Sequence, residues 1–174
     1  ICNILLKKGA SWDLKEAHWA SENKSFDYRL LHRLLCQLEK KPYNEELFQF
    51  MFFNEHLVDI ADDLFDYETD VEKNSFNILR CYVKEYGSKA AVHLADRIGQ
   101  FEIKYERLLK KLPKQLRLSH WKTEVKAMQL SKATKWTFPD LILDEMAYRL
   151  DIKNCGDNGR KSDKCYCTQW DICV

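Results

Sequence analysis

Apolar residues recur three and four apart along most of this chain, and no stretch shows the period-two alternation of a strand bounded by turns. The pattern predicts an all-α fold, an antiparallel helix bundle with short connections. After Phe26, Leu30, Leu31, Leu34, Leu35 and Leu38 form a wide apolar stripe that stops at Lys41-Pro42, because a residue preceding proline is pushed out of helical geometry. A second helix runs from about Tyr43 to Lys73, with Phe50, Phe53, Leu57, Ile60, Leu64, Tyr67 and Val71 as its seam. At about 1.5 Å per residue it would reach roughly 45 Å, the length of a central element. Phe76 to Tyr86 gives a short helix that Gly87 ends, with Ser88 capping the next. The cleanest seam follows: Ala91, Leu94, Ile98, Phe101, Tyr105, Leu108 and Leu112, closed by Pro113. Leu118, Trp121, Val125 and Met128 mark another helix, and Phe138-Pro139 opens a last one to about Leu150.

Three regions result. Residues 1–24 are weakly patterned, residues 25–150 form the helical domain, and residues 151–174 are an irregular, cysteine-rich tail. Asn23-Lys24-Ser25 fits a glycosylation sequon, but reads rather as a helix start with Ser25 as cap. Cys36 and Cys81 fall in helical patterns and read as small hydrophobes, while Cys155, Cys165, Cys167 and Cys173 crowd the tail. Their C-x9-C-x-C-x5-C spacing lacks the paired knuckles of a zinc ribbon, and Asp171 stands where a prenylation signal needs cysteine.

Composition adds bounds. With 174 residues, 45% hydrophobic and 32% charged, the chain suffices for one globular domain with a real core. No run approaches the ~20 apolar residues of a membrane span. A net charge of +1 gives no general reason to expect nucleic acid as partner.

That near-neutral total hides a strong local asymmetry. Asn54 to Glu72 holds Glu55, Asp59, Asp62, Asp63, Asp66, Glu68, Asp70 and Glu72 and not one Lys or Arg, so the rest of the chain is strongly cationic. At 100° per residue, Asp59, Asp62, Asp66 and Asp70 stack one turn above another opposite the seam, with Asp63 at the edge. The same sector toward the helix start carries Phe48, Met51 and Phe52. One face is aromatic at one end and acidic at the other, as the wall of an apolar pocket with a cation-binding mouth would be. Carboxylates at this spacing repel by about 0.2–0.5 kcal/mol per pair. Solvent relieves this on many surfaces; a divalent cation would relieve it more directly, Mg²⁺ taking one or two carboxylates plus water and phosphate oxygens.

The motif Asp62-Asp63-Leu64-Phe65-Asp66 resembles the DDxxD of class I isoprenoid synthases, and Asp62, Asp66 and Asp70 resemble the second, NSE/DTE-type metal motif of terpene synthases. The flanks in LVDIADDLFDYETDVEKNSFNIL are similar to the end of the motif helix, the break after it and the next helix of that family, and LVDIADD also resembles the second aspartate-rich motif of trans-prenyltransferases. The resemblance covers roughly residues 25–150. Asp stands at all three ligand positions in place of the family's Asn, Ser or Thr, and Glu, which keeps oxygen ligation while blurring the branch. What the resemblance implies is a partial terpenoid-synthase-like fold acting with Mg²⁺ on an allylic isoprenoid diphosphate. Asp62, Asp66 and Asp70 would hold metal; Asp63 would be a ligand or orient one; Phe48, Met51, Phe52 and Asp59 would line the substrate pocket; Arg80 and Lys84 would approach the diphosphate.

Family members carry a first metal motif far upstream, and the 61 residues before Asp62 contain none. The chain therefore reads as the C-terminal half of such a domain, with apolar helix faces left open to association. A non-catalytic helical interaction protein derived from that fold is the competing expectation. Other chemistries are poorly supported. Val71 and Asn77 break an EF-hand loop, the five histidines form no H-E-x-x-H pair, and no phosphate-cradling glycine loop or nucleophile elbow occurs.

Overall fold

The computed structural model describes residues 13–131 and 136–155, and among these the regular structure is helical throughout. The α-helices are α1 (Leu14–Lys24), α2 (Asp27–Leu38), α3 (Glu45–Phe65), α4 (Tyr67–Lys73), α5 (Ile78–Tyr86), α6 (Ala90–Lys111), α7 (Lys114–Ser131) and α8 (Glu145–Cys155), with a 3-10 turn at Gly87–Lys89. No helix among the described residues is long and apolar enough to cross a membrane.

The core is built on α3 and α6, which run antiparallel. Glu46 at the start of α3 pairs with Lys111 at the end of α6, and Phe50, Phe53 and His56 then meet Tyr105, Phe101 and Phe101 in the opposite order. α3 starts where Asn44 Oδ1 accepts the Leu47 amide at 3.1 Å, with Glu45 and Glu46 favourably placed against the helix dipole. The periodic residues then bury as expected: Phe50, Leu57, Ile60 and Leu64 from α3, and Leu94, Ile98, Phe101, Tyr105 and Leu108 from α6. Pro113 forces Leu112 into extended geometry and ends α6. Gly87, at φ 55° and ψ −129°, occupies backbone space that side chains disfavour, and turns the chain from α5 into α6.

Several boundaries differ from the sequence pattern. The single helix expected from Tyr43 to Lys73 is two, divided at Asp66, whose φ and ψ are −89° and 5°. The division interrupts the helical bonds only across Asp66, since its amide still donates to Asp62 O and closes α3 while the Asp70 amide donates to Asp66 O and opens α4, both at 2.8 Å. The seam therefore continues through buried Tyr67 and Val71. Ser25 does not cap α2; it follows α1, and Phe26 holds the cap position without a side-chain bond. Ser88 likewise sits inside the 3-10 turn. The last helix begins at Glu145, after Phe138, Leu141 and Ile142 have packed on the core as irregular chain. It continues to Cys155, past the expected boundary at residue 151, and the tail cysteines 165, 167 and 173 lie outside the described residues.

The N-terminal region is also more ordered than its pattern suggested. α1 packs a face of small residues, Ala17, Ala20 and Ser21, into the interior. Conversely, α2 buries none of its residues. Its half-buried positions are Arg29, His32 and Cys36, while Leu30, Leu31, Leu34, Leu35 and Leu38 are all exposed. The helix thus lays its polar side on the bundle and its leucines in solvent.

Candidate functional site

The acidic side chains gather where α3 gives way to α4 and α5, and they do different things. Asp63 is buried, at 4% exposure. One of its oxygens accepts from Lys24 Nζ at 2.7 Å and the other from the Ile78 amide at 2.8 Å. Asn77 completes the junction: its Oδ1 accepts from the Leu79 amide, and its amide group donates to Asp63 O and to Asp70 Oδ2, at 2.5 and 2.9 Å. Asp63 and Asn77 together satisfy the first amides of α5, where helix geometry leaves N–H groups without partners and favours negative charge. Burial pushes the Asp63 carboxyl up to about 6 against the opposing pull of Lys24 and the Ile78 amide. Burial would lower Lys24, but Asp63, Asp59 and Asp62 raise it above its usual value.

Asp59 accepts from Ser25 Oγ at 2.7 Å, and burial raises it. Asp62 is exposed and Asp66 half-buried. Burial raises Asp66, and the neighbouring charges of Asp62 and Asp70 raise it further, opposed by Lys73. No ion pair among the described residues includes Asp62 or Asp66. Asp70 is partly engaged through Asn77. No three His, Cys, Asp or Glu side chains among the described residues are gathered tightly enough to enclose a metal ion by themselves. Asp62 and Asp66 stand at i and i+4, a spacing that suits the one or two carboxylates Mg²⁺ commonly takes when phosphate and water supply the remaining oxygens.

No protein-family model, curated protein or solved structure matches this chain.

The aromatic end of the α3 face is covered. Arg29 of α2, ion-paired to Glu55 at 2.6 Å, lays its guanidinium 5.7 Å from the Phe48 ring centre and 5.0 Å from that of Phe52. Both rings thus already face a cation, a favourable contact for an aromatic surface. Met51 is half-buried beside them. A cleft of about 190 Å³ touches Phe52 on its α6 side, lined by Glu22, Phe53, Arg97, Gln100, Phe101 and Lys104, and none of the aspartates borders it.

Arg80 lies inside the protein, at 5% exposure, and all five of its N–H donors are engaged. It forms a fork with Glu145 at 2.7 and 2.6 Å, and also reaches Asn74 Oδ1, Asp70 O and Ser75 O. This arginine pins α8 and the turn after α4, leaving no donor for a diphosphate in this arrangement. Lys84 is exposed on α5.

Three residues that organise the site were not singled out in the sequence: Lys24, Arg29 and Glu145. A faint signal existed for Lys24, because Ala17, Ala20 and Ser21 have the three-four spacing of a tightly packed helix face.

Proposed function

We propose that this chain is a terpenoid-synthase-like helical protein that captures the diphosphate of an allylic isoprenoid through Mg²⁺ held at Asp62 and Asp66. The observation that carries the reading is the setting of Asp62 and Asp66: they stand one turn apart, no ion pair among the described residues reaches either, and burial first, then the charges of Asp62 and Asp70, raises Asp66. A cation bridging the two would remove that repulsion. Asp70 is the third candidate ligand once it leaves Asn77, whereas Asp63 acts as a positioning residue that ties α3 to α1 and α5. Bound Mg²⁺ would act as a Lewis acid on the leaving diphosphate. A pair of carboxylates is a weak site for bare Mg²⁺, so metal and pyrophosphate should bind together far better than either alone.

A second reading, a non-catalytic interaction protein of the same fold, draws its support from the solvent-facing leucines of α2.

Thermal unfolding with 5 mM Mg²⁺, 1 mM pyrophosphate, or both tests the first. We expect a rise of several degrees with both and little with either, following RT ln(1 + [L]/Kd). Asp66→Asn should raise the melting temperature of the ligand-free protein, because it removes repulsion, and should abolish the ligand-dependent rise. No rise with both ligands, or a rise that survives Asp62→Asn/Asp66→Asn, overturns the proposal.

A further inference from the structure

The acidic column has a counterpart of opposite charge at the far end of the same molecule. From Arg107 to Thr123 the chain carries six Lys or Arg residues and no Asp or Glu. This stretch covers the end of α6 and the start of α7, and Arg107, Lys110, Lys111, Lys114, Arg117 and Lys122 are all exposed. Lys111 meets Glu46 and Lys110 approaches Glu106 at 3.9 Å, but no ion pair among the described residues includes Lys114 or Arg117.

The basic corner is also concave and apolar at its floor. Leu109, Leu118 and Trp121, with Lys110, Lys114, Arg117 and His120, line a groove of about 420 Å³, and Trp121 remains 59% exposed. The acidic end offers an exposed aromatic side chain beside its carboxylates. Phe65 closes α3 at 54% exposure, and it stands one turn beyond exposed Asp62 and two beyond exposed Val58.

The corner lies beside the first turn of α3, where Lys111 meets Glu46, and the column lies at its last. The 21-residue helix therefore separates them by about 30 Å. Neither patch can reach the other within one chain.

We infer that copies of this chain associate head to tail, Phe65 of one copy entering the Leu109–Leu118–Trp121 groove of the next while Asp62 and its acidic neighbours face Lys114 and Arg117. Complementary charge and an exposed aromatic beside an apolar groove favour this contact, which needs no metal at Asp62 or Asp66. Such a contact joins two different surfaces, so each copy can engage a neighbour at both ends, and the rotation between copies sets whether the assembly is a ring or an open chain. Because both patches are solvent-exposed, the association weakens steeply with salt.

Sedimentation velocity of the full chain tests this over a concentration series in 20 and 500 mM NaCl. We expect a sedimentation coefficient that rises with concentration at low salt and a monomer at high salt. Lys114→Glu/Arg117→Glu should be monomeric in both, as should Asp62→Lys/Glu68→Lys and, by loss of its apolar anchor, Phe65→Ser. Mixing the two charge-reversed variants should restore association, since each supplies a surface that complements the other. A wild-type chain that stays monomeric at low salt, or charge-reversed variants that associate as well as wild type, overturns the inference. So does association that resists 500 mM NaCl and disappears in Leu31→Ser/Leu34→Ser, which would place the contact on the α2 leucines.

Discussion

Lys24 Nζ sits 2.7 Å from Asp63 Oδ1, joining the last residue of α1 to a buried carboxylate of α3 across 39 positions of sequence. The contact fixes a helix whose fully buried residues are only two alanines and a serine. The two partners are not equally replaceable. Lys24 keeps 19% of its side chain in solvent, whereas Asp63 keeps 5%.

Removing the lysine should therefore cost more than neutralising the aspartate. Lys24→Met leaves a buried charge uncompensated, for which about 3 kcal/mol is the expected loss at pH 7. Asp63→Asn retains an oxygen for the Ile78 amide and lets Lys24 turn outward, so its cost should be smaller. The sign of the pH effect follows from the Asp63 carboxyl, raised to about 6 by burial. The folded state binds that proton more tightly than the unfolded chain, so the ionised group opposes folding in full above pH 6, and the penalty shrinks as pH falls from about 6 toward the ordinary aspartate value of 3.8. Urea titrations of Lys24→Met should show at pH 5 less than half the deficit seen at pH 7. An equal deficit at both would remove the charge pair as its cause.

Arg80 and Glu145 make the corresponding tie for α8. Their two-bond fork, with Arg149 also on Glu145 at 3.1 Å, holds a helix whose buried contacts are few. Glu145→Gln should cost about 2–4 kcal/mol, because it leaves a 5%-exposed guanidinium without its anion. Burial would raise Glu145, but Arg80 and Arg149 hold it below the usual carboxylate value. The wild-type pair hence contributes fully above the ordinary glutamate range and is lost as pH falls through the lowered value. Hydrogen exchange measured by mass spectrometry should show accelerated exchange across Glu145–Cys155 in the variant at pH 7, while α6 stays protected. Unchanged exchange in α8 would mean that Phe138, Leu141 and Ile142 hold this region without the ion pair.

These two ties explain what could and could not be read in the sequence. The seams of α3 and α6 were legible because a helix repeats its buried face in its own residues, and the same spacing brings Asp62 and Asp70 near Asp66. The bend at Asp66 was not, since the apolar seam runs through it from Leu64 to Tyr67 and Val71. Periodicity also could not say which side of α2 faces inward. The leucine stripe is plain, yet Arg29 turns the helix over by pairing with Glu55 and covering Phe48 and Phe52. The destinations of Lys24 and Arg80 lie 39 and 65 positions away, beyond anything local spacing encodes. Arg80 shows the consequence: a basic residue just after an acidic helix invites a ligand-binding role, while its five donors serve the fold.

His56 gives a further handle on the interior. It is 3% exposed among Phe52 and Phe101, and neither ring nitrogen makes a hydrogen bond of normal geometry, the Ser21 backbone approaching it only loosely. Leaving such atoms buried costs about 1–3 kcal/mol. Burial first, then the charges of Arg97 and Lys24, lower its pKa from 6.5 to about 4. For a base held down in this way the unfolded chain takes up the proton more readily, so stability is retained above pH 6.5 and lost as pH falls toward 4. His56→Leu deletes both the unsatisfied nitrogens and that acid-sensitive step. At pH 7 the lost ring contacts and the removed penalty should roughly offset, leaving the variant within about 1 kcal/mol of wild type. At pH 5 the variant should be the more stable of the two by about 2 kcal/mol, the linkage expected for one imidazole shifted over this range. His18, half-buried, bonded to the Tyr82 hydroxyl at 3.0 Å and also lowered to about 4 by burial, remains in the variant. Some acid sensitivity should therefore persist, and His18→Gln in the His56→Leu background should remove more of it. If the stability difference between wild type and His56→Leu is the same at pH 7 and pH 5, the imidazole is not shielded from protons in the folded chain and the aromatic enclosure does not control it.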